Sequence, residues 1–363
     1  MRPISCALAL LVCLAVPLAA GDATASFVEG KAPLQSIGSL AFGPEGVLFI
    51  GDSRGAAILA LATDDEERSR SEGDFQEAGI DAKIASLLGT AVDQIQIHDM
   101  VVGPHSGAAY LSVSRGQGPE ASPVLVRVDR SGEIVEVSLE NVRYSMVELP
   151  NPPDPNAERR GRSLRQLAIT DLAYLSGKVY VAGLSNEEFS SKLRVIDFPF
   201  AGVDSGTSVE IYHGAHGKWE THSPIRTLVP YEIAADPHIL AAYTCTPLVK
   251  FPVKTIASGD KITGTTIAEL GNRNRPLDMV VYKKEGRDYI LMANSSRGVM
   301  KVSTRGIAEM GGITEPVDET AGLPYETLTR LEGVQQLDRL DESRALVLIE
   351  AEGSVDLKAV PLP

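Results

Sequence analysis

The sequence is short of cysteine, of aromatic residues and of positive charge. It has three Cys, one Trp, and 34 Lys and Arg against 48 Asp and Glu, for a net charge of −14 in 363 residues. That balance, with no basic block, excludes nucleic acid as a partner, because phosphate backbones require clustered Lys and Arg. It also argues against docking on an anionic membrane surface. No Gly-x-Ser-x-Gly elbow, phosphate-binding glycine loop, dinucleotide fingerprint or Cys-x-x-Cys-His haem site is present. Long apolar runs are missing everywhere except the N-terminus.

The N-terminus reads as an export signal. Arg2 supplies the positive end, Cys6 to Ala20 form an apolar stretch too short to span a bilayer, and Ala23-Thr24-Ala25 fits a small-x-small cleavage site. Leu18 and Ala20 offer a second, poorer site. Residues 1–25 are therefore expected to be a signal peptide and 26–363 a single domain, secreted or periplasmic, with no membrane insertion after cleavage. Removal of Cys6 and Cys13 leaves Cys245 alone, so no internal disulfide forms and stability rests on the core.

Internal repetition decides the fold. Ile37 to Gly55 and Ile97 to Gly116 share a short apolar strand, a Gly-Pro turn, a second strand and Ser-Arg-Gly. Further copies start at Ile169 and Pro276, with weaker ones over Arg226 to Val253 and Gly333 to Val360. The first strands begin at Ser39, Asp99, Asp171, Thr227, Asp278 and Gln335. Six strand-rich units at this spacing predict an all-β, six-bladed propeller. The last unit ends after three strands, so the segment Ser26 to Gln35 is expected to supply its outer strand and close the ring. Phe75 to Val92 carries helical spacing at Ile80, Ile84, Leu87 and Leu88, predicting a helix between blades one and two. Pro150 to Arg165 reads as a solvated loop.

The blade pattern resembles six-bladed propellers of the NHL, SMP-30 and TolB-like type over nearly the whole mature chain. Relatives of the SMP-30 type hold Ca²⁺ with acid and amide ligands near the strand starts, so a Ca²⁺-dependent lactonase or esterase is one function the resemblance implies. Their Asn-Asp-Gly, Asn-Gly or Asp-Gly contexts are absent here. The aspartates stand one residue away from those ligand positions, which on a strand reverses their facing.

In such a topology three sets of polar residues converge on one funnel. Asp99, Asp171 and Asp278 either hold a cation or accept backbone N–H bonds that lock neighbouring blades. Arg54, Arg115 and Arg297, from the Ser-Arg-Gly column, either form a cationic rim for a small anionic ligand or pair with those aspartates. The third set, His213 to His222, holds three of the six His and the only Trp. His213 and His216, with His222, Cys245 or Glu220, present donors suited to Cu or Zn, and glycines let the backbone curl between them. Cys245 also falls where other blades have Ser, which accounts for a small side chain without any metal. Two kinds of function remain open: a monomeric metal-dependent enzyme acting on a small molecule, or a non-catalytic scaffold for a protein partner.

Overall fold

A computed structural model describes residues 22–63, 65, 73–245, 247–257 and 259–363. Most of the expected signal peptide, residues 1–21, lies outside the described residues. The chain forms a six-bladed β-propeller, as the repeats predicted, with one α-helix among the described residues.

Blade 1 runs outward from Leu40–Phe42 through Val47–Asp52, Ala57–Ala62 and Val142–Glu148. Blade 2 comprises Ile95–Val102, Ala109–Arg115, Ser122–Val128 and Ile134–Val137. The remaining four begin with the inner strands Asp171–Leu175, Ile225–Ile233, Pro276–Lys284 and Val334–Arg339. Most second strands contain an apolar run, such as Val47-Leu48-Phe49-Ile50, because each blade is covered on both faces. Leu48 and Ile50 pack toward Tyr110 and Leu125 of blade 2, while Val47 and Phe49 pack toward Val179 and Val181 of blade 3. Each such side chain contributes about 1.5–3 kcal/mol by its removal from water.

Blades 1 and 2 exchange places in the ring. Inner-strand contacts join 3 to 4, 4 to 5, 5 to 6, 6 to 2, 2 to 1 and 1 back to 3. The six buried apolar clusters lie between the same six pairs. Sequential elements are usually neighbours, and here the chain departs from that rule once. After blade 2 it returns across blade 1, leaving Val142–Glu148 as that blade's outer strand, and then enters blade 3.

This route changes how the ring is sealed. The segment expected to close the last blade instead pairs Val28–Gly30 with Val142–Tyr144 of blade 1. Blade 6 takes its outer strand from Gln76–Glu77, paired with Leu357 and Lys358. The predicted helix follows directly as α1 (Ile80–Leu87), shorter than its apolar spacing suggested. Ile80 and Ile84, with Phe75 and Leu88, plug the wedge between blades 6 and 2. Closure thus comes from the insertion between the first two blades, which lies beside both blade 6 and blade 2.

Strand pairing also shifts one repeat position. The bulge between Val334 and Gln336 makes Gln336, not Gln335, the counterpart of Asp278 in the repeat.

Candidate metal centre and funnel

The outer strand Thr207–His213 of blade 3 ends in a single 3₁₀ turn, Gly214–His216, before the chain turns back as Lys218–Glu220. Gly217 closes the turn at φ +61°, a left-handed position suited to glycine. Gly214 is fixed by close approach, since a Cβ there would lie 3.0 Å from Glu269 Oε1 and from Val317 Cγ2. Its N–H donates to Glu269 Oε1 at 2.5 Å. The turn brings the rings of His213 and His216 together, tilted by 38° with centroids 3.8 Å apart. Cys245 arrives from the turn after the second strand of blade 4. It is held at φ +65°, with its N–H bonded to Asn274 O at 2.7 Å.

The ligating atoms of His213, His216 and Cys245 all lie within 4.8 Å of one another. Glu220 sits behind the two rings, accepting from His213 Nδ1 at 3.1 Å and from His216 Nδ1 at 2.7 Å. Its burial opposes ionisation, but the hydrogen bonds from His213, Ser223 and His216 outweigh it and hold the carboxyl well below the usual range. With both Nδ1 atoms engaged, Nε2 of each ring is left for the site. His213 is 2% exposed and its Nε2 has no hydrogen-bond partner among the described residues. Of the expected ligands, His222 does not join this group. Its Nδ1 lies 3.3 Å from Ser190 Oγ on the exposed surface.

The aspartate column lies in the central channel, around a cavity of about 200 Å³. In each case one carboxylate oxygen accepts the N–H of the next residue, and the other accepts an N–H from the neighbouring blade. Asp99 bonds Met100 and Leu40, Asp171 bonds Leu172 and Leu228, and Asp278 bonds Met279 and Leu337. Asp338, two positions further along blade 6, repeats the device with Arg339 and Val102. These bonds follow the ring in the order 3, 4, then 5, 6, 2, 1. Burial pushes Asp171 and Asp338 up to about 6. Asp99 and Asp278 rise well above the usual carboxylate range, through burial first and then repulsion among the channel carboxylates.

Above the channel the funnel opens into two adjoining cavities of about 520 and 680 Å³, which share Ile95, Gln96, His98, Arg226 and Arg275. Of the three arginines of the Ser-Arg-Gly column, only Arg54 is among the described lining residues, beside Ser53, Ser114 and Gly116 of the same column. Arg115 and Arg297 are exposed outside both. The expected pairing of these arginines with the aspartates does not form among the described residues, because the aspartates spend both oxygens on backbone N–H groups.

Repeat reasoning on the sequence missed Arg226 and Arg275. For Arg226 a usable signal existed: the residue just before each repeat start is Gly38, His98, Thr170, Arg226, Leu277 or Gln335, and all six line the funnel, whereas Arg275 stands outside that pattern. In blades 2, 4, 5 and 6 that residue is the extra one of a bulge, which aims it inward while its neighbour bonds sideways. The loop 150–165 is mostly exposed, as expected, with Arg159, Arg160 and Arg162 in solvent. Arg165 anchors it through Nη1 to Pro153 O and Nε to Arg54 O.

No family model matches the chain, and no curated protein matches it in sequence. Solved structures of similar shape include a protein described as a putative oxidoreductase (glucose dehydrogenase) from Thermus thermophilus. It is 12% identical at a TM-score of 0.38, covering 92% of this chain and 100% of that one. The PQQ-bound form of aldose sugar dehydrogenase from Streptomyces coelicolor is 10% identical at 0.33, covering 92% and 97%. Drosophila Plexin A, in complex with Semaphorin 1b, is 10% identical at 0.40, covering 93% and 87%. Likeness at this level concerns the propeller architecture. Among the described residues, no helix is long and apolar enough to cross a membrane.

Proposed function

We propose that this protein is an exported propeller that binds one copper or zinc ion through His213, His216 and Cys245. The observation that carries the reading is the unpartnered Nε2 of buried His213, in a group of two imidazoles and a thiol whose ligating atoms lie within 4.8 Å of one another. A buried polar atom without a partner is costly, and a metal ion would satisfy it. Imidazole and thiolate donors select copper or zinc over calcium or magnesium. Glu220 plays the part of the carboxylate that orients ligating imidazoles from behind. Binding would draw the donors together by up to about 1 Å to reach bonding distances. Three protein donors leave a fourth position for water or substrate. His216, 42% exposed in its side chain, opens that side to solvent. The metal would then serve as Lewis acid or redox centre.

The calcium-dependent alternative has less support, because Asp99, Asp171 and Asp278 each engage both oxygens with backbone donors. Titration of metal-free protein with Co²⁺ tests the metal reading. Thiolate-to-metal absorption that saturates at one equivalent and is absent in Cys245→Ser supports it. No such band would move the reading to the scaffold.

Export belongs to the same proposal, and the N-terminal contacts favour the second cleavage site. Ala23 packs in the cluster between blades 1 and 3, and Thr24 O and Oγ1 accept from Arg143 Nη2 at 3.0 and 2.7 Å. Processing after Ala20 preserves these contacts, whereas processing after Ala25 removes them. N-terminal sequencing of the secreted protein should read from Gly21. A start at Ser26 contradicts the site, and an unprocessed chain contradicts export.

A further inference from the structure

We infer that the larger funnel cavity is a binding site for a small organic polyanion, a molecule with two or more carboxylate or phosphate groups, held by Arg226, Arg275 and Arg54. The cavity of about 680 Å³ is lined by these three arginines, His98, four serines and three glutamines, with no Asp or Glu among the described residues that line it. In a chain with 48 acidic residues against 34 basic ones, an acid-free pocket holding three guanidinium groups is a marked local inversion of charge. Its volume lies within the range of small-molecule sites.

The arginines are not used up by the fold. Arg226 lines both cavities, its Nε is buried without a hydrogen-bond partner, and no ion pair satisfies it among the described residues. Burial first, and then the neighbouring charges of Arg275 and Arg162, lower its pKa to about 10. Cations held together in this way repel one another, and an anion between them removes the repulsion. Arg54 donates one bond, to Ala121 O at 3.2 Å, which fixes its direction and leaves most of its donors free. Guanidinium forks match carboxylate and phosphate oxygens two at a time. Several such forks call for a ligand with several anionic groups.

Glu350 and Asp81 line only the smaller cavity. The two cavities meet at Arg226 and Arg275, so a neutral or hydroxylated portion of the ligand is accommodated beyond them. Burial lowers the pKa of His98 and so favours its neutral form. Its Nε2 lies 2.7 Å from Ser114 Oγ. The inference does not depend on the metal reading, because His213, His216 and Cys245 line neither cavity. The two sites are nevertheless close in the chain: Cys245 N–H bonds Asn274 O, and the next residue is Arg275.

Calorimetric titration at low ionic strength tests the assignment, with citrate and pyrophosphate as probes and glucose as the neutral comparison. At least one anion should bind the purified protein, with affinity falling as salt is added, and glucose should not displace it. Arg226→Gln and Arg275→Gln should each weaken binding on the order of tenfold or more. Arg115→Gln, outside the cavity, should leave it unchanged. Thermal melts of each variant check folding, and Arg226→Lys, which keeps the charge and loses the fork, should fall between wild type and Arg226→Gln. A preference for citrate or pyrophosphate assigns the carboxylate or phosphate class. Repeating the titration in Cys245→Ser separates the two sites, and binding should persist there. Failure of both anions to bind, or equal binding by wild type and both Gln variants, would overturn the inference.

Discussion

Among single residues, the protein uses one kind of side chain for two purposes according to where its oxygens point. Glu220 faces two imidazoles, and hydrogen bonds keep it ionised. The channel aspartates face backbone N–H groups and one another, and burial drives them toward the protonated form. The sign of the pH effect follows. Asp171 and Asp338 hold protons in the folded state up to about pH 6, whereas unfolded carboxyls release theirs near about 4. Between those values the native chain binds more protons, so these groups make stability rise as pH falls from about 6 toward about 4. Carboxyl-carbon NMR should show both residues titrating near pH 6, well above the exposed aspartates. Midpoints near about 4 would mean that the channel solvates them better than its enclosure indicates. Asp→Asn at these positions should still destabilise, since an amide places a donor against one of the two N–H groups that the carboxylate accepts.

Among the elements, sealing of the ring depends on Phe75, Gln76–Glu77 and α1 rather than on the N-terminal strand. Phe75 is fully buried, while Val28 is 56% exposed. Phe75→Ala should cost about 3–5 kcal/mol, the range for truncating a buried aromatic, and Val28→Ala should stay within about 0.5 kcal/mol. Denaturant unfolding of the two variants measures the contrast, and equal effects would contradict it. The helix itself was legible from the spacing of Ile80 and Ile84. What that helix covers was not, because its partners, Leu357 in blade 6 and Val128 in blade 2, are distant in sequence. The same limit explains the funnel. A repeat alignment locates Asp99, Asp171 and Asp278 correctly on the inner strands. It does not show that a bulge turns the preceding residue inward, and so Arg226 was passed over for the more conspicuous Ser-Arg-Gly column.

Across the complete ring, the six blades were readable from their repeated turns, but their order was not. Each unit carries the same apolar pattern, so nothing local distinguishes a neighbour in sequence from a neighbour in space. The bond from Val102 N to Asp338 Oδ2, at 2.7 Å, records the junction of blades 6 and 2. The candidate metal centre was half legible. His213 and His216 are close in sequence and share one turn, and Cys245 comes from the adjacent blade to meet them. His222 shares their segment but lies beyond the hairpin that Lys218–Glu220 forms, on the exposed surface.

The proposed function stands or falls on a metal ion held by His213, His216 and Cys245, and elemental analysis of the protein purified from its native compartment is the sharpest check. One copper or zinc per chain is expected in the wild type and in His222→Ala, with loss of that metal in His213→Ala and Cys245→Ser while the fold stays intact. A folded wild-type protein without stoichiometric metal, or one whose metal survives both substitutions, would contradict it.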